Sequence, residues 1–240
     1  MKFRRNKLLV GIVVALFLLT ATLVVAAPAP LWTLLLGEPL RSGTDPLSAG
    51  EVSAARQLVQ QSGALSAQLA AGGRSELLLV ERHQEPKAVR QQGAWPRRAD
   101  YYLYDYDTDT LLHSVINLET GAVDEMSRAQ DVQLPLTDNE IGQALAIALA
   151  DAPTRAAIEQ EFRRVSGTPL NDPARQLQVH ALVFRAAAMP GNLAPAFAGC
   201  GRQRCGQLIL STPDNVLINI VPIVNLSARQ LAGLDEFITE

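Results

Sequence analysis

Apolar residues fall in three patterns along the chain, and each predicts a different kind of element. From Leu8 to Ala27 no charged residue interrupts them. A run of about 20 such residues crosses the ~30 Å hydrocarbon core of a bilayer as a helix. Further on, Val52, Ala55, Leu58 and Val59 recur at helical spacing, as do Ile141, Ala144, Leu145, Ala148 and Leu149. Each set marks one buried helix face. The third pattern is rich in β-branched and aromatic residues bounded by Gly, Pro and Asp, which is the signature of strands. It covers 76–82, 99–105 and 110–118, and later 177–185, 207–211 and 216–226.

The two helical patterns begin alike. Pro46-Leu47-Ser48-Ala49-Gly50-Glu51-Val52 and Pro135-Leu136-Thr137-Asp138-Asn139-Glu140-Ile141 share one motif. Ser48 and Thr137 are suited to accept a free backbone N–H, and Glu51 and Glu140 to reach back to the N–H of the cap. Leu47 with Val52, and Leu136 with Ile141, are placed as hydrophobic staples across the caps. The units also close alike, on Val115-Ile116-Asn117-Leu118 and Ile223-Val224-Asn225-Leu226. The expected fold is therefore α+β, with tandem modules over 46–134 and 135–240. Each is a helix packed on an antiparallel sheet. The second carries an extra helix over 154–165 and an irregular insert over 186–199.

Charge assigns a role to the first apolar run. Lys2, Arg4, Arg5 and Lys7 precede it, and no acid lies in the first 27 residues. The positive-inside rule predicts a cytoplasmic basic tail over 1–7, a transmembrane anchor over 8–27 and a linker over 28–45. The rest then lies outside the cytoplasm, as a single-pass membrane protein. The alternative is a signal segment cleaved after Val24-Val25-Ala26, giving a secreted protein. Without its four N-terminal cations the chain has 17 basic residues against 24 acids. That balance does not suit a row of phosphates, so nucleic acid is not an expected partner.

The order of motifs in the first unit resembles a known family. Pro46-Leu47-Ser48-x-x-Glu51, Glu85-Pro86-Lys87, Pro96-Arg97-Arg98-Ala99 and Val115-Ile116-Asn117-Leu118-x-x-Gly121-x-Val123 are similar to the small N-terminal domains of copper amine oxidases. The resemblance covers about residues 46–150. It implies two tandem cystatin-like modules that contribute surface rather than chemistry. The catalytic domain of that family has no counterpart here. Its cofactor tyrosine sits in an Asn-Tyr setting and its copper site uses a His-x-His pair, and neither occurs in this sequence.

The remaining candidates are few. Cys200 and Cys205 are the only cysteines, and outside the cytoplasm such a pair reads as a structural disulfide. His83, His113 and His180 lie far apart and form no short-range ligand pair, so no metal and no cofactor is expected. Tyr102, Tyr104 and Tyr106 share one face of a strand, either as a binding surface or as the face beneath the helix. Lys87, Arg90, Arg97 and Arg98 bracket the loop 83–98 around Trp95 and suggest a basic patch for an acidic partner. The candidate partner surface is Trp95, Arg97, Arg98, Tyr102 and Tyr104. The expected function is a non-catalytic, membrane-anchored interaction module that binds an extracytoplasmic protein. The alternative is an accessory subunit or degenerate relative of a copper amine oxidase, binding metal or an amine-oxidising partner.

Overall fold

A computed structural model describes residues 45–63, 73–93, 95–188 and 195–235. Two helix-on-sheet units follow one another. The first has helix α1 (Ala49–Gln61) and strands β1 (Ser75–Arg82), β2 (Arg98–Asp105), β3 (Thr110–Asn117) and β4 (Ala122–Ala129). The second has helices α2 (Asp138–Ala150) and α3 (Ala152–Ser166). Its strands are β5 (Gln178–Val183), β6 (Cys205–Ser211), β7 (Val221–Asn225) and β8 (Gln230–Asp235). Each set of strands forms an antiparallel sheet in sequential order, β1-β2-β3-β4 and β5-β6-β7-β8.

Both helix starts use their sequence motif. Ser48 accepts the N–H of Glu51, whose carboxylate accepts the N–H of Ser48 at 2.7 Å. Thr137 and Glu140 repeat the exchange, with the Thr137 N–H donating at 2.8 Å. Each box satisfies two backbone donors left open by a helix N-terminus and is worth about 1 kcal/mol. Helix α3 starts on Asp151, which accepts the Thr154 N–H. It ends where Gly167 turns left-handed, at φ 72°, and donates to the Arg163 carbonyl.

Helix α1 packs on the first sheet through Ala55 and Val59, against Ala99, Tyr101, Leu103, Leu112, Ile116 and Leu118. The second core gathers Ala144, Ala148, Ile158, Phe162, Leu208, Leu210, Ile218 and Val224. Tyr104, Tyr106 and Leu111, from the first unit, belong to that same cluster. The β2–β3 end of the first sheet is therefore inserted into the flank of the second unit. Polar bonds fix the joint. Tyr106 donates to Glu140 at 2.8 Å, Thr137 and Asn139 donate to Glu76, and Arg74 donates to the Ser227 carbonyl at 2.7 Å.

Several expectations are corrected. No helix among the described residues is long and apolar enough to cross a membrane. The single-pass membrane architecture and localisation read from the apolar run therefore find no support among the described residues. The described architecture is mixed helix and sheet, with two four-stranded antiparallel sheets. The tail 1–7, the expected span 8–27 and residues 28–44 of the linker lie outside the described residues. The strand expected over 216–226 forms only from Val221, because 213–217 is an exposed excursion. Each sheet also has a fourth strand, β4 or β8, beyond the closing motif.

Candidate functional site

The two faces of the first sheet have different neighbours. Ala99, Tyr101 and Leu103 on β2 point toward α1. The alternate residues Arg98, Asp100, Tyr102 and Tyr104 point the other way. Register places two rows on that opposite face. One is Leu79, Tyr102, His113 and Ser127; the next is Glu81, Asp100, Val115 and Glu125. The core of the second unit takes in Tyr104 and Leu111 of this face, Leu78 and Tyr102 pack partly buried against it, and Asp100 and Val115 are also buried. Beyond them Leu79 is 39% exposed, and Glu81, Glu125 and Ser127 are exposed.

The centre of the face is a hydrogen-bonded cluster. Tyr102 and His113 are direct cross-strand partners, and their rings stack with centroids 4.6 Å apart and planes 11° apart. One oxygen of Asp100 lies 2.9 Å from His83 Nδ1 and 2.7 Å from His113 Nε2. A carboxylate only accepts, so both imidazole nitrogens donate to it. The Asp100 side chain is buried while both imidazoles keep partial access to solvent. Burial raises the Tyr102 phenol above its ordinary value, and the nearby Asp100 and Glu81 carboxylates add to that shift.

Histidines therefore do converge, but two of the three do so, and they meet on a carboxylate. His180 is exposed on β5 in the other unit. Among the described residues no group of three His, Cys, Asp or Glu is placed to hold a metal ion.

The residues singled out from sequence are dispersed. Arg97 is buried and donates to both oxygens of Glu51, at 2.8 and 3.1 Å, and to the carbonyls of Asp45 and Pro46. Tyr104 is buried, with its hydroxyl on Asp109 and the Arg202 carbonyl and its ring beneath the Arg204 guanidinium at 5.3 Å. Neither belongs to an accessible surface, which corrects that part of the candidate set. Arg98 is ion-paired with Glu85 and Asp124, and Trp95 is half-buried. The loop 83–98 therefore does not gather its cations into one basic patch. Tyr102 alone of the shared-face tyrosines keeps partial access to solvent, although it packs against the second unit's core cluster. The tyrosine under α1 is Tyr101. Asp100, Glu81 and Glu125 were missed from sequence, where His113 reads only as a candidate metal ligand; strand alternation was the signal that could have brought them together.

Cys200 and Cys205 are disulfide-bonded. The bridge packs with Phe184, Ile223, Ala232 and Phe197 on the face of the second sheet away from α2. That face is covered where the corresponding face of the first sheet is open. A polar cleft between the units is lined by Thr108, Asp109, Gln130, Gly199, Arg202 and Gln203. Asp109 and Gln203 there are taken up by bonds from Ser227 and Asn225.

No family model matches the sequence, and no curated protein matches it. Among solved structures, the chain is similar to a copper-containing benzylamine oxidase from Hansenula polymorpha, at 16% identity and a TM-score of 0.48. The match covers 81% of this chain and 30% of that one.

Proposed function

We propose that the chain is a non-catalytic protein-interaction module whose partner surface is the face of its first sheet turned away from α1. One observation carries the reading. A rigid sheet presents an aromatic stack, Tyr102 on His113, beside exposed Leu79 and exposed Glu81 and Glu125. Partner surfaces are built from aromatic anchors within a polar rim. Tyrosine supplies contact area at low entropic cost, and here the stack already holds the ring before any partner arrives. The motif order shared with amine oxidase accessory domains is in keeping with a role in surface rather than chemistry. The disulfide supports a site of action outside the reducing cytoplasm.

The test is crosslinking in intact cells with the full chain, read by quantitative mass spectrometry against two variants, Leu79→Asn and Tyr102→Ser. A partner enriched by the parent chain and lost with both variants, at unchanged thermal midpoint, is the expected result. An interaction profile that neither variant alters would sink the assignment of this face.

A further inference from the structure

We infer that the partner docks an extended, cationic segment across this face, with two basic side chains bridging Glu81 and Glu125 alongside the Tyr102–His113 stack. This rests on the interaction-module reading and deepens it. The argument is one of charge and spacing.

Five carboxylates, Glu81, Glu85, Asp100, Asp124 and Glu125, surround the guanidinium of Arg98 on this side of the sheet. Three of the five are already committed. Glu85 and Asp124 hold Arg98, and Asp100 holds two imidazoles. Glu81 and Glu125 are exposed and form no ion pair among the described residues. Other cations stay at the rim: Arg82 is turned to the His83 carbonyl, and Lys87 and Arg90 lie on the short helical turn that follows.

The two uncommitted acids occupy the same row on the two edge strands, β1 and β4. Three inter-strand spacings separate them, about 14 Å at ~4.8 Å each. An extended chain rises about 3.3 Å per residue, so side chains roughly four residues apart match that span. Between them lie the buried Asp100 and Val115, and in the next row the half-buried Tyr102 ring, stacked on His113, offers apolar area to the stem of a basic side chain. An anionic segment would meet like charge at Glu81 and Glu125.

The probe is a fluorescein-labelled peptide with two arginines four residues apart, titrated into the full chain by fluorescence anisotropy. A second peptide of identical composition has adjacent arginines. The spaced peptide is expected to bind more tightly than the adjacent one. Glu81→Gln with Glu125→Gln should weaken its binding by about tenfold, the loss of two exposed ion pairs. Asp131→Asn with Asp214→Asn removes equal charge from exposed positions elsewhere and should change binding by less than about twofold. Equal weakening by both double variants reports net charge alone and overturns the inference, as does equal binding of the two peptides. A cellular partner that depends on Leu79 and Tyr102 but has no basic segment would overturn this inference while leaving the interaction module standing.

Discussion

Arg204 and Glu140 lie 64 residues apart in sequence and meet as a two-pronged ion pair, each side chain wholly removed from solvent. Arg204 Nη2 donates to Glu140 Oε2 at 2.7 Å, and the same guanidinium donates to the carbonyls of Leu134 and Pro135. Arg97 repeats this in the first unit, on Glu51 and on the carbonyls of Asp45 and Pro46. The carbonyls of Arg97 and Arg204 in turn accept the N–H of Leu118 and Leu226, both at 2.8 Å. In both units one arginine ties the helix cap, the chain entering it and the closing strand of the sheet.

Removing one partner of such a pair strands a buried charge. Arg204→Met is expected to destabilise the chain by about 3–5 kcal/mol. Arg204→Met with Glu140→Gln should cost less than Arg204→Met alone, because the remaining group is neutral and keeps its capping geometry. Urea denaturation of the four species in the cycle checks this; a double variant less stable than Arg204→Met contradicts it.

Acid should act through the first unit. Burial pushes the Glu51 carboxyl up, but bonds from Arg97 and from the Ser48 N–H and hydroxyl outweigh it, so its folded value lies below 4.5. A depressed carboxylate contributes stability that is present above its unfolded value and lost as pH falls through the folded one. Stability should therefore decline as pH drops below about 4.5, and Glu51→Gln should flatten that limb. An unchanged slope in the variant, followed by urea midpoints across pH, would count against it.

Alkali should act through the joint. Burial raises the Tyr104 phenol to about 12, and burial with the Glu140 carboxylate raises Tyr106 further. A raised value contributes stability that is complete below the unfolded value of 10 and lost as pH rises through the folded one. Midpoints should fall between pH 10 and 12, and Tyr104→Phe should lessen the fall.

The disulfide closes a loop of sequence separation 5. A loop so short limits its entropic effect to about 2 kcal/mol. Cys200→Ser with Cys205→Ser should lower stability by roughly that much and leave the native pairing of the first sheet unaltered, as the chemical shifts of β2 and β3 would report.

Gly233 is held to its identity by a ring. A Cβ there would stand 2.7 Å from Phe197 Cζ and 2.8 Å from Cε1. Gly233→Ala should displace Phe197 and cost about 1–3 kcal/mol, with faster proteolysis near Pro195–Phe197 as the accompanying sign.

The repeat was legible because a capping box is local: Ser48 and Glu51, or Thr137 and Glu140, lie within one turn of each other. The second role of each glutamate was not legible, since its arginine lies 46 or 64 residues away. Arg97 read as a surface cation for the same reason, as nothing adjacent in sequence marks it as buried. The fourth strand of the first sheet was missed because β4, Ala122-Val123-Asp124-Glu125-Met126-Ser127-Arg128-Ala129, is an exposed edge with no apolar alternation. Charged edge strands of this kind discourage unwanted pairing, and the same charge hides them from a search for apolar periodicity. The histidine cluster was half visible. His113 and Tyr102 lay on recognised strands, but their pairing depends on a register that only the folded hairpin sets.

The Tyr106–Glu140 bond carries a thermodynamic consequence. Tyr106 enters from the first repeat and completes the lone-pair accounting of a carboxylate on which the second repeat's helix start depends. Neither repeat can then lose its structure without exposing the other's interior. Calorimetry of the chain should show a single endotherm in which the van't Hoff and calorimetric enthalpies agree. Two units alike in sequence motif are thereby expected to melt as one.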